Sequence, residues 1–263
     1  MARLDSPRYT LLFAAAVCVV CALMVSVAAV SLQPRQKANA RLYMEKNVLV
    51  AAGLVKPGQD VTIREVEKFF EGDVRARLVD LATGELQPEG KVDARSYDQR
   101  AARNEPGTSR AAPPNNAGIG RLPKYAVAYF VMKDGQPEQV VIALEGLGMW
   151  GTVYGFMAID RDGRTVRGLT YYDQKETPGL GGEISNPKWQ AVWNGRKVYN
   201  DKWEPQLTVI KGKAGPPDKD PLRVDGLSGA TITSVGVSRL TTFWMSNDGW
   251  GRFLKIFRQG GKL

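Results

Sequence analysis

The sequence of 263 residues contains no histidine. Because imidazole serves as a general base and as a ligand of zinc and haem, its absence excludes catalytic triads, imidazole-ligated haem and most zinc sites. The chain has only two cysteines, Cys18 and Cys21, and both lie in an apolar run. A CxxC pair in a soluble setting suggests redox or metal chemistry, but a thiol in an apolar run behaves as a small hydrophobic side chain. Redox chemistry in this protein would therefore require an organic cofactor.

Phosphate-binding signatures and basic stripes are also missing. No GxGxxG follows a strand and no Walker A sequence is present, so free dinucleotides and ATP lack their usual site. The net charge of +9 comes from scattered Lys and Arg residues without interleaved aromatic residues. We therefore predict no nucleic-acid partner. We explain the positive charge by a location beside anionic lipid head groups. Asp160 and Asp162 belong to an Asp-Gly turn and predict no metal site.

One long apolar run predicts a membrane anchor. The residues from Tyr9 to Leu32 carry no charge, and roughly 20 apolar residues are enough for a helix to cross a bilayer. A cleaved signal peptide is the alternative, but its apolar region would be about 7–15 residues long. Basic residues flank both ends of the run, so the positive-inside rule does not decide the orientation. We expect residues 1–34 to form a cytoplasmic tip and a transmembrane helix.

Residues 35–124 are predicted to form an N-terminal region outside the cytoplasm. Asn47–Leu54 and Glu65–Phe70 have the pattern of short helices, and a strand-like ARLVDL begins at Ala76. The stretch from Ser96 to Lys124 is rich in Pro, Gly, Asn and Ser, which predicts a long loop or linker. Composition leaves open whether this stretch separates two domains or is inserted within one.

Residues 125–263 are predicted to form the cofactor-binding domain. Two Gly-containing turns, KDGQP and RDGR, are each flanked by apolar runs and predict two β-hairpins. Gln206–Lys213 predicts a further strand, and the spacing of Trp250, Phe253, Leu254 and Phe257 predicts a helix that packs on the core. The predicted fold is α+β: an antiparallel sheet with flanking helices, preceded by one N-terminal transmembrane helix.

Two segments have the composition of ligand-binding turns. DGLSGATITS, Asp225–Ser234, is a turn rich in glycine and hydroxyl groups that precedes a helical pattern. Such a turn can bind an anion through converging N–H groups, or its Ser and Thr residues can simply cap the helix. KETPGLGGEI, Lys175–Ile184, is either a plain loop or a place where glycines let a ligand approach. Trp150, in GLGMWGTVYGF, can belong to the core or stack on an aromatic ligand.

The first of these segments carries a specific resemblance. DGLSGAT resembles the D-x-x-[S/T]-G-A-T flavinylation motif of bacterial FMN-binding domains. The resemblance implies that an extracytoplasmic flavin transferase joins FMN, as a phosphoester, to the hydroxyl of Thr231. Asp225, Ser228, Gly229 and Ala230 occupy the other positions of the motif and are expected to bind the cofactor.

The second segment is similar to a loop of the same flavoproteins. ETPGLG recurs in their isoalloxazine pocket, and the run around Trp150 is similar to one that brings an indole near the flavin. These matches, together with a Lys on the VIKGK strand as a candidate charge near the phosphate, imply further cofactor-binding residues: Trp150, Glu176, Thr177, Leu180, Gly181 and Lys211.

One pair of residues departs from the family pattern. Relatives usually have His-Gly directly before ETPGLG, whereas this chain has Gln174 and Lys175. A Lys near the flavin would favour its anionic forms, so the departure implies a different reduction potential. It does not bear on the covalent attachment.

In order and along nearly the whole chain, these matches resemble the C-subunit family of the Na+-translocating NADH:quinone oxidoreductases. The G subunit of the Rnf complex shares the flavinylation motif, but it lacks the long Asn47–Lys124 segment and the GMW run. The resemblance implies a single-pass protein of the bacterial inner membrane with its C-terminal domain on the periplasmic side. It would relay single electrons through FMN between neighbouring membrane subunits.

NADH oxidation, sodium passage and quinone reduction would then lie elsewhere in the complex, and this protein would need no catalytic acid, base or nucleophile. The alternative of another class is an anchored sensory or scaffold domain that binds FMN without transferring electrons.

Overall fold

The computed structural model describes residues 6–90 and 92–260 and begins with one long helix. Helix α1, Pro7–Ala51, has 45 residues and contains Pro34. Its apolar window has a mean hydropathy of 2.8 and no buried side chain, which marks a candidate membrane span by length and composition. The predicted separate helix at Asn47–Leu54 is wrong, because its first residues are the end of α1. By its contacts the chain divides into a unit that ends at Met44 and a unit that begins at Glu45.

The unit that begins at Glu45 is built on a five-stranded antiparallel sheet. In their order across the sheet, its strands are β1 Val74–Asp80, β4 Tyr125–Lys133, β5 Gln136–Leu147, β6 Thr152–Asp160 and β7 Val166–Asp173. The two predicted hairpins are confirmed as β4–β5 and β6–β7, with left-handed Gly135 and Gly163 in their turns.

Helices cover this sheet, so the predicted α+β fold is confirmed. They are α2 Ile63–Gly72, α4 Pro187–Ala191, α5 Thr231–Met245 and α6 Gly251–Arg258. The indole N–H groups of Trp244 and Trp250 donate to the carbonyl oxygens of Glu145 and Ala143 in β5, at 2.7 and 2.9 Å. Phe253, Leu254 and Phe257 of α6 are buried, as the apolar spacing predicted.

The polar stretch from Ser96 to Lys124 is not the long loop that its composition predicted. It contains helix α3, Gln99–Asn104, and two short paired strands, β2 Ser109–Ala111 and β3 Arg121–Pro123. Asp98 caps α3 by accepting from the Ala101 amide. The guanidinium of Arg100 lies 3.5 Å from the centre of the Tyr154 ring. Long-range contacts of this kind give the stretch its order, and local composition does not show them.

Residues on both sides of this stretch share the sheet. β1 precedes the stretch and pairs with β4, which follows it. The strand predicted for Gln206–Lys213 is reduced to β8, Thr208–Val209, which pairs in parallel with β9, Arg223–Val224. This short pair brings the segment around Lys211 next to the turn that precedes α5.

Candidate functional site

An open groove of about 850 Å³ lies at the N-terminal end of α5. Its walls are the segment 209–213, the turn 225–229, the first turn of α5, and residues of α4 and of the loop before it. The groove thus collects three segments that are separated along the chain. Of the predicted residues, Asp225, Ser228, Gly229, Thr231 and Lys211 line it.

The turn 225–229 lies close against the backbone of the segment 209–213. A Cβ atom on Gly226 would overlap the carbonyl oxygen of Ile210, and the Gly226 amide donates to Gly212 O at 2.7 Å. Gly229 has a φ of +70°, a conformation that favours glycine. Both glycines of the turn are therefore needed for the path of the backbone.

Asp225 holds the groove together through its own contacts. Its Oδ1 atom accepts from the Ala214 amide at 2.9 Å, and its carbonyl oxygen accepts from Trp189 Nε1 at 2.9 Å. The first bond fixes the segment that carries Lys211, and the second fixes α4. Asp225 therefore contributes to the site by shaping its walls, through its carboxylate on one side and its backbone carbonyl on the other.

The three hydroxyl groups in the first turn of α5 differ sharply. Thr233 is buried and donates to Glu176 Oε2. Ser234 is also buried, and its Oγ atom accepts from the Leu227 amide at 3.4 Å. Thr231 is exposed, lines the groove, and its hydroxyl makes no hydrogen bond within the described residues. Its hydroxyl is therefore available for chemistry.

The same turn presents positive potential to the groove. The first N–H groups of a helix have no intrahelical acceptor, and the helix dipole places partial positive charge there. Ala230, the buried N-cap residue of α5, offers no capping side chain. Lys211 and Lys213 are exposed and line the groove, and so does the exposed Ser228. Together these groups form an environment suited to a phosphate.

The ETPGLG loop lies against the same helix end from another side. Thr177 and Leu180 are exposed, whereas Glu176 and Gly181 are buried. A Cβ atom on Gly229 would lie 2.9 Å from Leu180 Cδ2, so the loop contacts the motif turn. The loop residues do not line the groove itself. They instead extend the site beyond the helix end, next to Thr233.

Trp150 is not a core residue. It is 63% exposed, and its backbone amide donates to Glu176 Oε1 at 2.9 Å. The indole therefore lies at the surface next to the ETPGLG loop. Of the two predicted roles for Trp150, core packing is excluded and stacking on an aromatic ligand remains. Behind the groove, the Tyr171 ring lies 6.5 Å from that of Trp189. Burial raises the pKa of the Tyr171 hydroxyl.

Sequence reasoning missed three contributors to this site. Lys213 lines the groove beside Lys211, Trp189 binds Asp225, and Gly226 permits the close approach to Ile210. The two Lys residues of VIKGK gave a signal for Lys213. Trp189 and Asp225 are far apart in the sequence, so their contact gave no signal in it.

Comparison with known proteins agrees with this geometry. The family model described as FMN-binding domain matches residues 148–246, a range that includes the Trp150 turn, the ETPGLG loop and Thr231. The C subunit of the Na(+)-translocating NADH-quinone reductase of Yersinia pestis is 42% identical over 97% of this chain and 95% of its own length. The corresponding protein of Pseudomonas aeruginosa is 39% identical over 99% of both chains.

Solved structures show the same similarity. The crystal structure of Shewanella oneidensis NqrC has a TM-score of 0.76 and 30% identity, covering 84% of this chain and 99% of its own. That of the C subunit from Parabacteroides distasonis has a TM-score of 0.65 and 28% identity, covering 85% and 96%. With these identities over nearly the full length, and as the resemblance predicted, the chain belongs to the C-subunit family of the Na+-translocating NADH-quinone reductase.

Proposed function

We propose that FMN is joined by a phosphoester to the hydroxyl of Thr231, in a chain that serves as an FMN-carrying electron-transfer subunit of the Na+-translocating NADH-quinone reductase. The main support for this linkage is that the three hydroxyls at the start of α5 differ in exposure and in hydrogen bonding. Thr231 is exposed to the groove, whereas the hydroxyls of Thr233 and Ser234 are buried and hydrogen-bonded.

The residues of the groove fit a phosphate. Free N–H groups of the first turn of α5 can donate to its oxygens. Lys211 and Lys213 supply charge of the opposite sign, and Gly229 places no side chain between the turn and the ligand. When bound, FMN supplies the ability to take up and release electrons singly or in pairs.

The chain's own residues bind and orient the cofactor. The exposed side chains of Trp150, Leu180 and Thr177 offer an apolar and aromatic surface near the phosphate site. Lys175 passes over Gly151, where an added Cβ would lie 3.6 Å from its Cδ atom. The positive charge of this side chain would stabilise negative charge on a ligand bound nearby. The electron-transfer role asks no side chain of this protein to act as an acid or a base.

The partners follow from the family. Other membrane subunits of the reductase would exchange single electrons with this one, and a flavin transferase would make the phosphoester during maturation. Covalent attachment keeps the cofactor on the chain, and the open groove leaves it accessible to a neighbour.

We expect covalent FMN to survive denaturation. The full-length chain, expressed with a flavin transferase and boiled in detergent, should show a flavin-fluorescent band at its own mass in a gel, because a phosphoester does not depend on the fold. Expression without the transferase is the control and should give a dark band. A dark band in the presence of the transferase would contradict the linkage.

The candidate span and the membership of a membrane complex make this an inner-membrane protein, and we propose that the unit beginning at Glu45 lies on the periplasmic side. Alkaline phosphatase fused after Leu263 should then be active, and a fluorescent protein that matures only in the cytoplasm should be dark. The same two reporters fused before Arg8 should give the opposite pattern. Reversal of both patterns would contradict the topology and the supply of FMN by an external transferase.

A further inference from the structure

The buried carboxylate of Glu176 joins three separate segments. Its Oε1 atom accepts from the amides of Met149 and Trp150, at 3.0 and 2.9 Å. Its Oε2 atom accepts from the hydroxyl of Thr233 in α5 and, at 3.2 Å, also from the Met149 amide. Glu176 therefore connects the turn that carries Trp150, the ETPGLG loop and the first turn of α5.

Two glycines make room for this carboxylate. A Cβ atom on Gly148 would lie 2.6 Å from Oε1, and one on Gly181 would lie 2.8 Å from Oε2. The glycines come from different segments, and a side chain on either would push the carboxylate away from its donors. The surroundings are thus shaped to hold a carboxylate at this place.

The charge of Glu176 is satisfied by hydrogen bonds alone. Glu176 is 5% exposed, and in residues 6–90 and 92–260 no Lys or Arg forms an ion pair with it. A buried charge is tolerated only where hydrogen bonds replace its hydration, and here two amides and a hydroxyl do so. These donors do not cancel the negative charge, which therefore acts on neighbouring groups across a region of low dielectric.

We propose that Glu176 is a positioning residue that fixes the Trp150 turn to the start of α5. Its negative charge lies behind the surface formed by Trp150, Leu180 and Thr177, and it lowers the reduction potential of FMN bound at that surface. The proposal rests on FMN at this surface but not on the linkage to Thr231. A negative charge disfavours the addition of electrons to a group beside it. The same contacts hold Trp150 in place relative to Thr231.

Glu176→Gln separates charge from geometry. The amide oxygen of Gln can accept from Met149 and Trp150, and its nitrogen can donate to the Thr233 hydroxyl, so the contacts persist without the charge. We expect unchanged FMN content and a more positive midpoint potential in a redox titration of the FMN-loaded full chain. The expected shift is a tenfold change in the one-electron equilibrium, about 59 mV. Glu138→Gln, which removes one negative charge in the β4–β5 hairpin, is the matched control and should leave the potential unchanged.

Glu176→Ala tests the contacts themselves. The amides of Met149 and Trp150 lose their acceptor, so their hydrogen exchange should accelerate at least tenfold, while exchange in the sheet stays as in the unmodified chain. This readout needs no flavin, so it is independent of the linkage to Thr231, which intact-mass spectrometry reports separately. An unchanged potential in Glu176→Gln, or unchanged exchange of the two amides in Glu176→Ala, would overturn the proposal.

Discussion

Thr231→Val is expected to abolish covalent FMN while the fold persists. A phosphoester needs an oxygen, and Val keeps the shape of Thr without the hydroxyl. Thr231 is exposed and its hydroxyl binds no described residue, so we expect the free energy of unfolding to change by less than about 0.5 kcal/mol. Intact-mass spectrometry after co-expression with a flavin transferase would show the chain without the added mass of FMN.

The neighbouring hydroxyls supply matched controls for this variant. Thr231→Ser keeps an oxygen at the same place and should retain labelling. Thr233→Val and Ser234→Ala remove the two buried hydroxyls and should retain full labelling, although Thr233→Val also loses the bond to Glu176. Full labelling of Thr231→Val would show that another hydroxyl carries FMN, and an unlabelled parent chain would remove the linkage altogether.

Of the substitutions considered, Trp244→Ala is expected to lower the free energy of unfolding most. Its indole is fully buried and donates to Glu145 O at 2.7 Å, so the substitution leaves both a cavity and an unpaired carbonyl in β5. Truncation of a buried Trp costs about 3–5 kcal/mol, which is a large part of the total stability of an ordinary domain. Urea denaturation of the flavin-free protein, followed by circular dichroism, would measure the loss.

Trp150→Ala is the matched control, since it removes the same side chain from an exposed position. Because the indole of Trp150 is 63% exposed, we expect its loss to change the free energy of unfolding by less than about 0.5 kcal/mol. Equal losses in the two variants would contradict the assignment of Trp244 to the core and of Trp150 to the surface.

The parts of the fold that the sequence predicted correctly are those determined by local patterns. Asp134-Gly135 and Asp162-Gly163 predicted the two hairpins because a turn with positive φ selects such residues. The apolar stripe of α6 predicted its buried face, since helical periodicity needs no knowledge of the partner. The glycine-rich turn before Thr231 likewise predicted the start of α5.

The parts that failed depend on distant contacts. Gln99 accepts from the Val127 amide and Arg100 packs on Tyr154, and these contacts order a stretch whose composition is that of a loop. The strand predicted from Gln206 is short because its partner, β9, is short.

For the candidate site too, local patterns were predicted from the sequence and distant contacts were not. The motif pointed to Thr231 as the site of attachment. The structure adds a physical reason for this proposal, because the hydroxyls of Thr233 and Ser234 are already hydrogen-bonded. The motif could not show that Asp225 braces the Lys211 segment, or that Glu176 faces Thr233 from another segment. Both facts concern pairs of residues that meet only after folding.

The groove beside Thr231 exists only in the folded protein. The hydroxyl of Thr231 is presented by a helix that packs on β5 and borders a groove whose other walls come from α4 and β8. These walls come from segments that are distant along the chain, so an unfolded chain carries the motif but not the groove. Under the linkage proposed above, a transferase that recognises the groove would modify folded chains only, which would keep FMN away from misfolded protein.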